Sequence, residues 1–294
     1  MSSDSQGKDA SPDIERLRSW MGRRETCEDV ITAVPAQMLA ATLDRDEPPP
    51  HIGDLLPPLW HWLHFLPVAR ASRVGTDGHP QRGGFLPPVA LPRRMWAASR
   101  IKFVSPLKIG EKVHRISEIS DVQLKEGKSG NLVFVKLRHA VTRGDGVAAV
   151  AEEQDIVYRD DPKPGSPTPA PQFASEEAAW VHTFSPDPVL LFRYSALTFN
   201  GHRIHYDKTY ATEVEGYPGL VVHGPLIATL LLEHLRRGRP SARVVAFEFR
   251  AVRPAFEGNA LTLCAHPDPD GRHVKLWAQG PDGAICMNAR ALLD

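Results

Sequence analysis

The chain has little of what would tie it to a membrane, a nucleic acid or a disulfide scaffold. Lys+Arg and Asp+Glu both number 35, so the formal net charge is zero, and no global field draws the protein to nucleic acid or an anionic membrane surface. Three cysteines in 294 residues (Cys27, Cys264 and Cys286) are few, odd in number and without metal-like spacing. Such usage suits a reducing compartment better than a disulfide framework. No apolar run approaches the roughly 20 residues of a membrane span. The opening MSSDSQGKDASPD also lacks the basic-then-apolar pattern of a secretory signal. A soluble cytosolic (cytoplasmic) protein, with no nucleic-acid and no membrane partner, is the expectation.

Proline is plentiful, 27 in all, and clustered at 48–58, 86–92 and 161–171, which marks loops and linkers. The stretch DDPKPGSPTPAPQ (160–172) carries five prolines and no apolar periodicity, so it reads as a linker between two units. The boundaries that follow are a tail over 1–12, an N-terminal unit over 13–160, a linker over 161–175 and a C-terminal unit over 176–294.

The order of elements is similar on each side of that linker. In the second half, PLIATLLLEHLRR (225–237) has Pro at its start, Gly238 at its end and apolar residues nearly all round, the pattern of a buried helix. Strand-like runs follow at 244–252, 260–265, 273–279 and 284–292. In the first half, 55–73 reads as helical with an interruption at Pro67, and strands are expected near 100–103, 112–122, 132–142 and 147–159. The pattern V-x-P-x3-G-x2-[VL] occurs in both halves, from Val104 to Val113 and from Val252 to Leu261. Its repetition at the same point in the element order favours an internal duplication over a chance match of two turns. Two helix-plus-sheet units in one chain would share their strand edges and leave a seam for a ligand.

Chemistry concentrates in RYSALTFNGHRIHYD (193–207), followed by EGYPGLVVHG (215–224). An Asn, two His, an Arg and a Tyr crowd the approach to the most apolar helix, more than a solvated loop needs. His223-Gly224-Pro225 opens that helix, where unpaired N–H groups and the positive end of the dipole favour a developing oxyanion. Gly224 lets a carbonyl come close, although Gly-Pro is also simply good helix-start chemistry.

These segments resemble the active-site region of the MaoC-like, or type 2, enoyl-thioester hydratases. That family's motif is Asp-x4-His followed by a His-Gly at the start of the central helix. Here Asn200 falls at the Asp position, His205 at the His position, and His223-Gly224 at the helix start. FNGHRIHYD with RYSALT upstream is similar to the branch of type 2 hydroxyacyl-thioester dehydratases and mesaconyl-CoA and itaconyl-CoA hydratases, over most of the chain. The resemblance implies an α+β double hotdog fold, with antiparallel sheets each wrapped around a central helix and a catalytic motif only in the second unit.

It further implies a hydro-lyase adding water reversibly to an enoyl-CoA, with the coenzyme A of the substrate as the only cofactor. A C4–C5 dicarboxylic acyl group such as itaconyl or mesaconyl fits best. The alternatives are a 3-hydroxyacyl-thioester dehydratase of fatty acid metabolism and a hotdog thioesterase. Catalysis is expected from Asn200, His205 and Gly224. An amide cannot take a proton at neutral pH, so His205 is the base and Asn200 orients it or the water. Substrate contacts are expected from Arg193, Tyr194, Arg203, Tyr206, His223 and, across the seam, Arg93 and Arg94. No metal is expected: His202 and His205 lack a third ligand at a suitable offset. Ser195 as a nucleophile lacks a G-x-S-x-G elbow. Arg236, Arg237 and Arg239 either complement the helix dipole or meet coenzyme A phosphates. A homodimer is compatible with the sequence.

Overall fold

The computed structural model describes residues 12–127, 130–161 and 170–294. Nearly all of the expected tail and most of the expected linker lie outside the described residues. The first half runs α1 (Ile14–Arg18), β1 (Arg24–Val30), α2 (Ala33–Thr42), β2 (Arg93–Phe103), β3 (Lys112–Gly127), β4 (Gly130–Arg143) and β5 (Ala148–Arg159). The second runs β6 (Trp180–Phe184), α3 (Pro188–Leu197), α4 (Gly224–Gly238), β7 (Val244–Ala251), β8 (Leu261–Pro267), β9 (His273–Gln279) and β10 (Ile285–Leu293).

The ten strands of the described residues form one antiparallel sheet in the order β1-β3-β4-β5-β2-β7-β10-β9-β8-β6. The order is palindromic: each half places its strands 1-3-4-5-2, and the two meet where β2 pairs with β7, from Ala98↔Arg250 to Lys102↔Ala246. Each unit thus closes the other's open edge. This is the double hotdog arrangement.

The repeated sequence pattern falls on the same turn in both halves. The amides of Val104 and Ser105 bond to Ala149 O at 2.8 and 3.3 Å, and those of Val252 and Arg253 to Cys286 O at 2.8 and 3.2 Å. Gly110 and Gly258 both adopt positive φ, 93° and 76°, the left-handed region that favours glycine. Their N–H groups reach back to the segments just after β1 and β6, to Ile31 O and Pro186 O. Equivalent hydrogen bonds at equivalent residues are the structural mark of the duplication.

The halves differ in their centres. Val222 N bonds to Ala255 O, and α4 follows; at the equivalent place Leu56 N bonds to Leu107 O, and no long helix follows. The helical region expected over 55–73 is corrected to short 3-10 turns at Trp60–Leu63 and Ala71–Arg73. Pro57 and Pro58 remove two N–H donors, and Leu59 and Phe65 take φ of 71° and 54°, so an α-helix cannot propagate there. In the second half α4 packs on β8, β9 and β10, with Leu226, Ile227, Leu231 and Leu235 buried in the same core cluster as Phe247 and Phe249 of β7. At its end Gly238 lies against Trp180, whose ring a Cβ would meet at 2.8 Å. No helix among the described residues is long and apolar enough to cross a membrane.

Candidate active site

The polar segment between α3 and α4 is shaped by three backbone devices in succession. Phe199 ends α3 with φ of 49°, and the amides of Phe199 and Asn200 bond to Ala196 O and Ser195 O. This is a Schellman closure in which a phenylalanine stands where glycine is usual. Asn200 Oδ1 then accepts the His202 N–H at 3.0 Å, an Asx turn that redirects the chain. A 3-10 turn, Arg203–His205, follows and brings His202 and His205 against the start of α4. The local work of Asn200 is therefore to hold this turn.

His205 is buried and its Nδ1 donates to Val221 O at 2.7 Å. That bond fixes the tautomer and leaves Nε2 as a lone-pair base. Burial pushes its pKa down to about 4, although the Val221 bond opposes the shift. The ring stacks on His223 at 3.7 Å between centroids with 20° between planes. His223 caps α4; its Nε2 is 2.8 Å from Ser195 Oγ, and its Nδ1 is buried with no hydrogen-bond partner among the described residues. Such an orphan in a polar site is explained by a bound substrate or water. Burial, with His205 and His202 adding to it, holds His223 well below the ordinary histidine range. Next along the helix, Gly224 has its N–H at the positive end of the dipole with no backbone acceptor among the described residues. A Cβ there would come 3.7 Å from Trp96 O of β2, so the helix start faces the first half across the seam.

A turn from the first half enters the same place, and nothing in the sequence tied it to the site. Val74 and Pro80 are bridged, and the tip between them carries Asp77, Gly78 and His79. Arg203 N bonds to Asp77 O at 2.9 Å, His79 Nδ1 is 3.1 Å from Asp77 Oδ2, and the rings of His79 and His202 lie 4.1 Å apart. His202 in turn meets His205 edge-on at 5.4 Å. Burial, reinforced by His79 and His205, lowers His202 to about 2. Asp77, His79 and His202 present possible ligand atoms within 4.8 Å of one another. Within the trio, Asp77 and His79 are joined by a hydrogen bond. The only sequence signal for this turn was Asp-Gly, a generic turn pair.

The other expected contacts divide. Tyr194 is buried with its ring 5.0 Å from His223. Tyr206 is exposed and its hydroxyl donates to Gly201 O at 2.9 Å. Arg193 points outward from α3. Arg93 and Arg203 have their guanidinium groups engaged within the protein. Arg93 pairs with Asp161 at 2.7 Å and donates to Glu215 O. Arg203 binds Asp207 at 2.7 Å and stacks over Tyr210. Arg94 differs: it forms no ion pair among the described residues, and its charge bears on His79 and His202. Beside it the Tyr158 hydroxyl is buried, close enough for the Arg94 side chain to act on it although no hydrogen bond of good geometry joins them. Ser195 pairs with His223 rather than His205. At the far end of α4, Arg236 pairs with Glu47 and Glu233, and Arg239 lies over Trp180.

Residues 59–257 match the family model described as hydroxyacyl-thioester dehydratase type 2. The chain is 48% identical over 274 residues to the mesaconyl-C(4)-CoA hydratase of Chloroflexus aurantiacus, covering 92% of this chain and 95% of that one. It is 29% identical over 273 residues to the mitochondrial hydroxyacyl-thioester dehydratase type 2 of Schizosaccharomyces pombe, covering 83% and 90%. Among solved structures, a MaoC-like dehydratase from Phytophthora capsici superposes with a TM-score of 0.65 at 14% identity, covering 96% of this chain and 99% of that one. A Mycobacterium tuberculosis protein described as a double hotdog fold gives 0.54 at 15% identity, covering 93% and 96%. At those identities the structural matches speak to the fold alone.

Proposed function

The chain belongs to the hydroxyacyl-thioester dehydratase type 2 family of hydro-lyases, and within it we propose that the substrate is a short dicarboxylic enoyl-CoA, mesaconyl-CoA before itaconyl-CoA. The observation that carries the chemistry is the neutral His205, whose Nδ1 is committed to Val221 O at 2.7 Å and whose Nε2 is left as the base. In hydration the thioester carbonyl would rest on the Gly224 N–H. His205 Nε2 takes a proton from water as the oxygen bonds to Cβ, and negative charge gathers on the carbonyl oxygen at the helix start. In dehydration His205 returns that proton to the leaving hydroxyl. The reaction draws on no cofactor beyond the coenzyme A that the substrate carries, and the chemistry suits the cytosol.

Arg94 supports the dicarboxylic acyl group. It is a guanidinium with no ion pair among the described residues, beside the half-buried His79 and the buried His202, with the buried Tyr158 hydroxyl next to it. A substrate carboxylate would pair bidentately with the guanidinium and accept from the hydroxyl. A fatty chain would leave the Arg94 charge without a counter-charge. The name of the Chloroflexus relative points to the same class of acyl group. Thioester hydrolysis is less well served, because the imidazole that Ser195 contacts, His223, has no carboxylate behind its Nδ1.

The test is a hydration assay with mesaconyl-CoA, itaconyl-CoA, crotonyl-CoA and a C8 to C12 enoyl-CoA. The dicarboxylic substrates are expected to give the highest kcat/KM. Preference for the long chains would replace this substrate with a fatty-acyl one, and release of free thiol without loss of the double bond would replace the reaction.

A further inference from the structure

Asn200 leaves the second half with one base where a hydration needs a proton taken from water and a proton given to carbon. We propose that Asp77 and His79, carried into the site by the first half, form the second acid–base unit, with His79 exchanging the proton at Cα and Asp77 positioning it. The proposal rests on the hydratase reading and adds a residue pair to it.

Three observations place the pair. The 74–80 turn is fixed to the catalytic segment through Arg203 N–Asp77 O at 2.9 Å and through the abutting backbones of Gly78 and Gly201. Asp77 Oδ2 accepts from His79 Nδ1 at 3.1 Å and Asp77 Oδ1 accepts the His79 backbone N–H at 3.0 Å, so one carboxylate holds both the ring and the backbone of His79, and Nε2 is the ring nitrogen left for chemistry. The free side of His79 lies against His202 at 4.1 Å, and His202 lies 5.4 Å from His205. This row of rings runs from the first unit to His205, which stacks on His223 at the start of α4.

The step balances as follows. Water gives a proton to His205 Nε2 while its oxygen forms the bond to Cβ. The π pair of the C=C bond moves toward Cα and the thioester carbonyl, whose oxygen bears the charge beside the Gly224 N–H. The enolate then takes a proton at Cα from the imidazolium of His79, and the carbonyl re-forms. The proton left on His205 returns to His79 through the His202 ring or through water, and no net proton is gained or lost. In dehydration neutral His79 removes the Cα proton and His205 protonates the leaving hydroxyl.

The groups facing His79 make its protonation depend on the substrate. Burial lowers its pKa, Asp77 opposes that, and the charges of Arg94 and Arg82 lower it again; His202 faces it as a neutral ring. Burial alone would raise the Asp77 carboxyl, but the His79 side chain and N–H hold it well below the ordinary carboxylate range, so it stays ionised. A substrate carboxylate paired with Arg94 cancels one opposing charge and readies His79 as an acid.

The experiment compares wild type, His79→Gln and Asp77→Asn in mesaconyl-CoA hydration, and in exchange of the Cα proton of the hydroxyacyl-CoA product with D2O. His79→Gln is expected to lose about 10²-fold in kcat, the usual scale of general acid–base help, with KM nearly unchanged. Cα exchange should fall in parallel, and added imidazole should restore both in a His79→Gly variant. In Asp77→Asn the limb of the kcat profile that His79 controls should move to lower pH, since the imidazolium loses its counter-charge. Full kcat and exchange in His79→Gln overturn the proposal; so does activity removed by chelators and restored by zinc, which would make the trio a metal site. Should His79→Gln fail to fold, Asp77→Asn with an unshifted limb overturns it equally. Wild type that hydrates no enoyl-CoA overturns the hydratase reading itself, a result distinguishable from an active wild type with an indifferent His79.

Discussion

Gly78 and Gly201 touch backbone to backbone across the two halves of the chain. A Cβ built on Gly78 would overlap the carbonyl oxygen of Gly201, and one on Gly201 would lie 2.6 Å from Gly78 O. Neither glycine can carry a side chain without parting the 74–80 turn from the histidines. Gly78 also has φ of 89°, which adds a strain of about 1–3 kcal/mol to any other residue.

Gly78→Ala is therefore expected to lower kcat/KM by at least about tenfold, since displacements near 1 Å at a reacting centre cost up to about 10²-fold. Gly53→Ala is the control, because Gly53 has φ of 94° with nothing within 4 Å of its would-be Cβ. It should stay near wild-type activity. Equal losses in the two variants would show that backbone strain, not the contact between halves, is what matters.

Arg94 supplies the second prediction. Arg94→Leu should raise KM for mesaconyl-CoA by about 10- to 10²-fold, because a charge-assisted hydrogen bond contributes about 1.5–3 kcal/mol. KM for crotonyl-CoA, which has no second carboxylate, should hardly move. A similar rise for both substrates would assign Arg94 to the thioester or to packing.

Much of this was readable in the sequence for physical reasons. The helix over 225–237 announced itself because it is buried on nearly every side, and β7 to β10 because they alternate or run apolar against it. Edge strands β1 and β6 were silent: RETCEDV and WVHTF have most of their side chains in solvent, so no period-2 pattern forms. The residues of 193–224 stood out by their chemistry, whereas Asp77 and His79 did not. They sit in a loop without periodicity, and only the folding of one half onto the other brings them to His202. The same folding brings Arg93 to Glu215, whereas Arg203 is engaged locally by Asp207; residue type alone could reveal neither.

Acid should destabilise the fold through its buried imidazoles. His205 and His202 titrate near 4 and 2 in the folded protein and near 6.5 when unfolded. Between those values the unfolded chain binds more protons, so stability is full above about pH 6.5 and falls as pH drops toward the folded values. Urea midpoints at pH 7.5, 6.0 and 5.0 should decline in that order, and His205→Gln should decline less steeply. A midpoint flat across this range would mean that the histidines are already charged in the fold.

The most direct test of the account is the hydration of mesaconyl-CoA by His205→Gln. Glutamine fills similar space but cannot accept a proton, so kcat should fall by at least about 10²-fold with KM within a few-fold of wild type. The account predicts that loss with the circular dichroism spectrum unchanged. Near wild-type turnover in a folded His205→Gln would contradict it and remove His205 from the reaction.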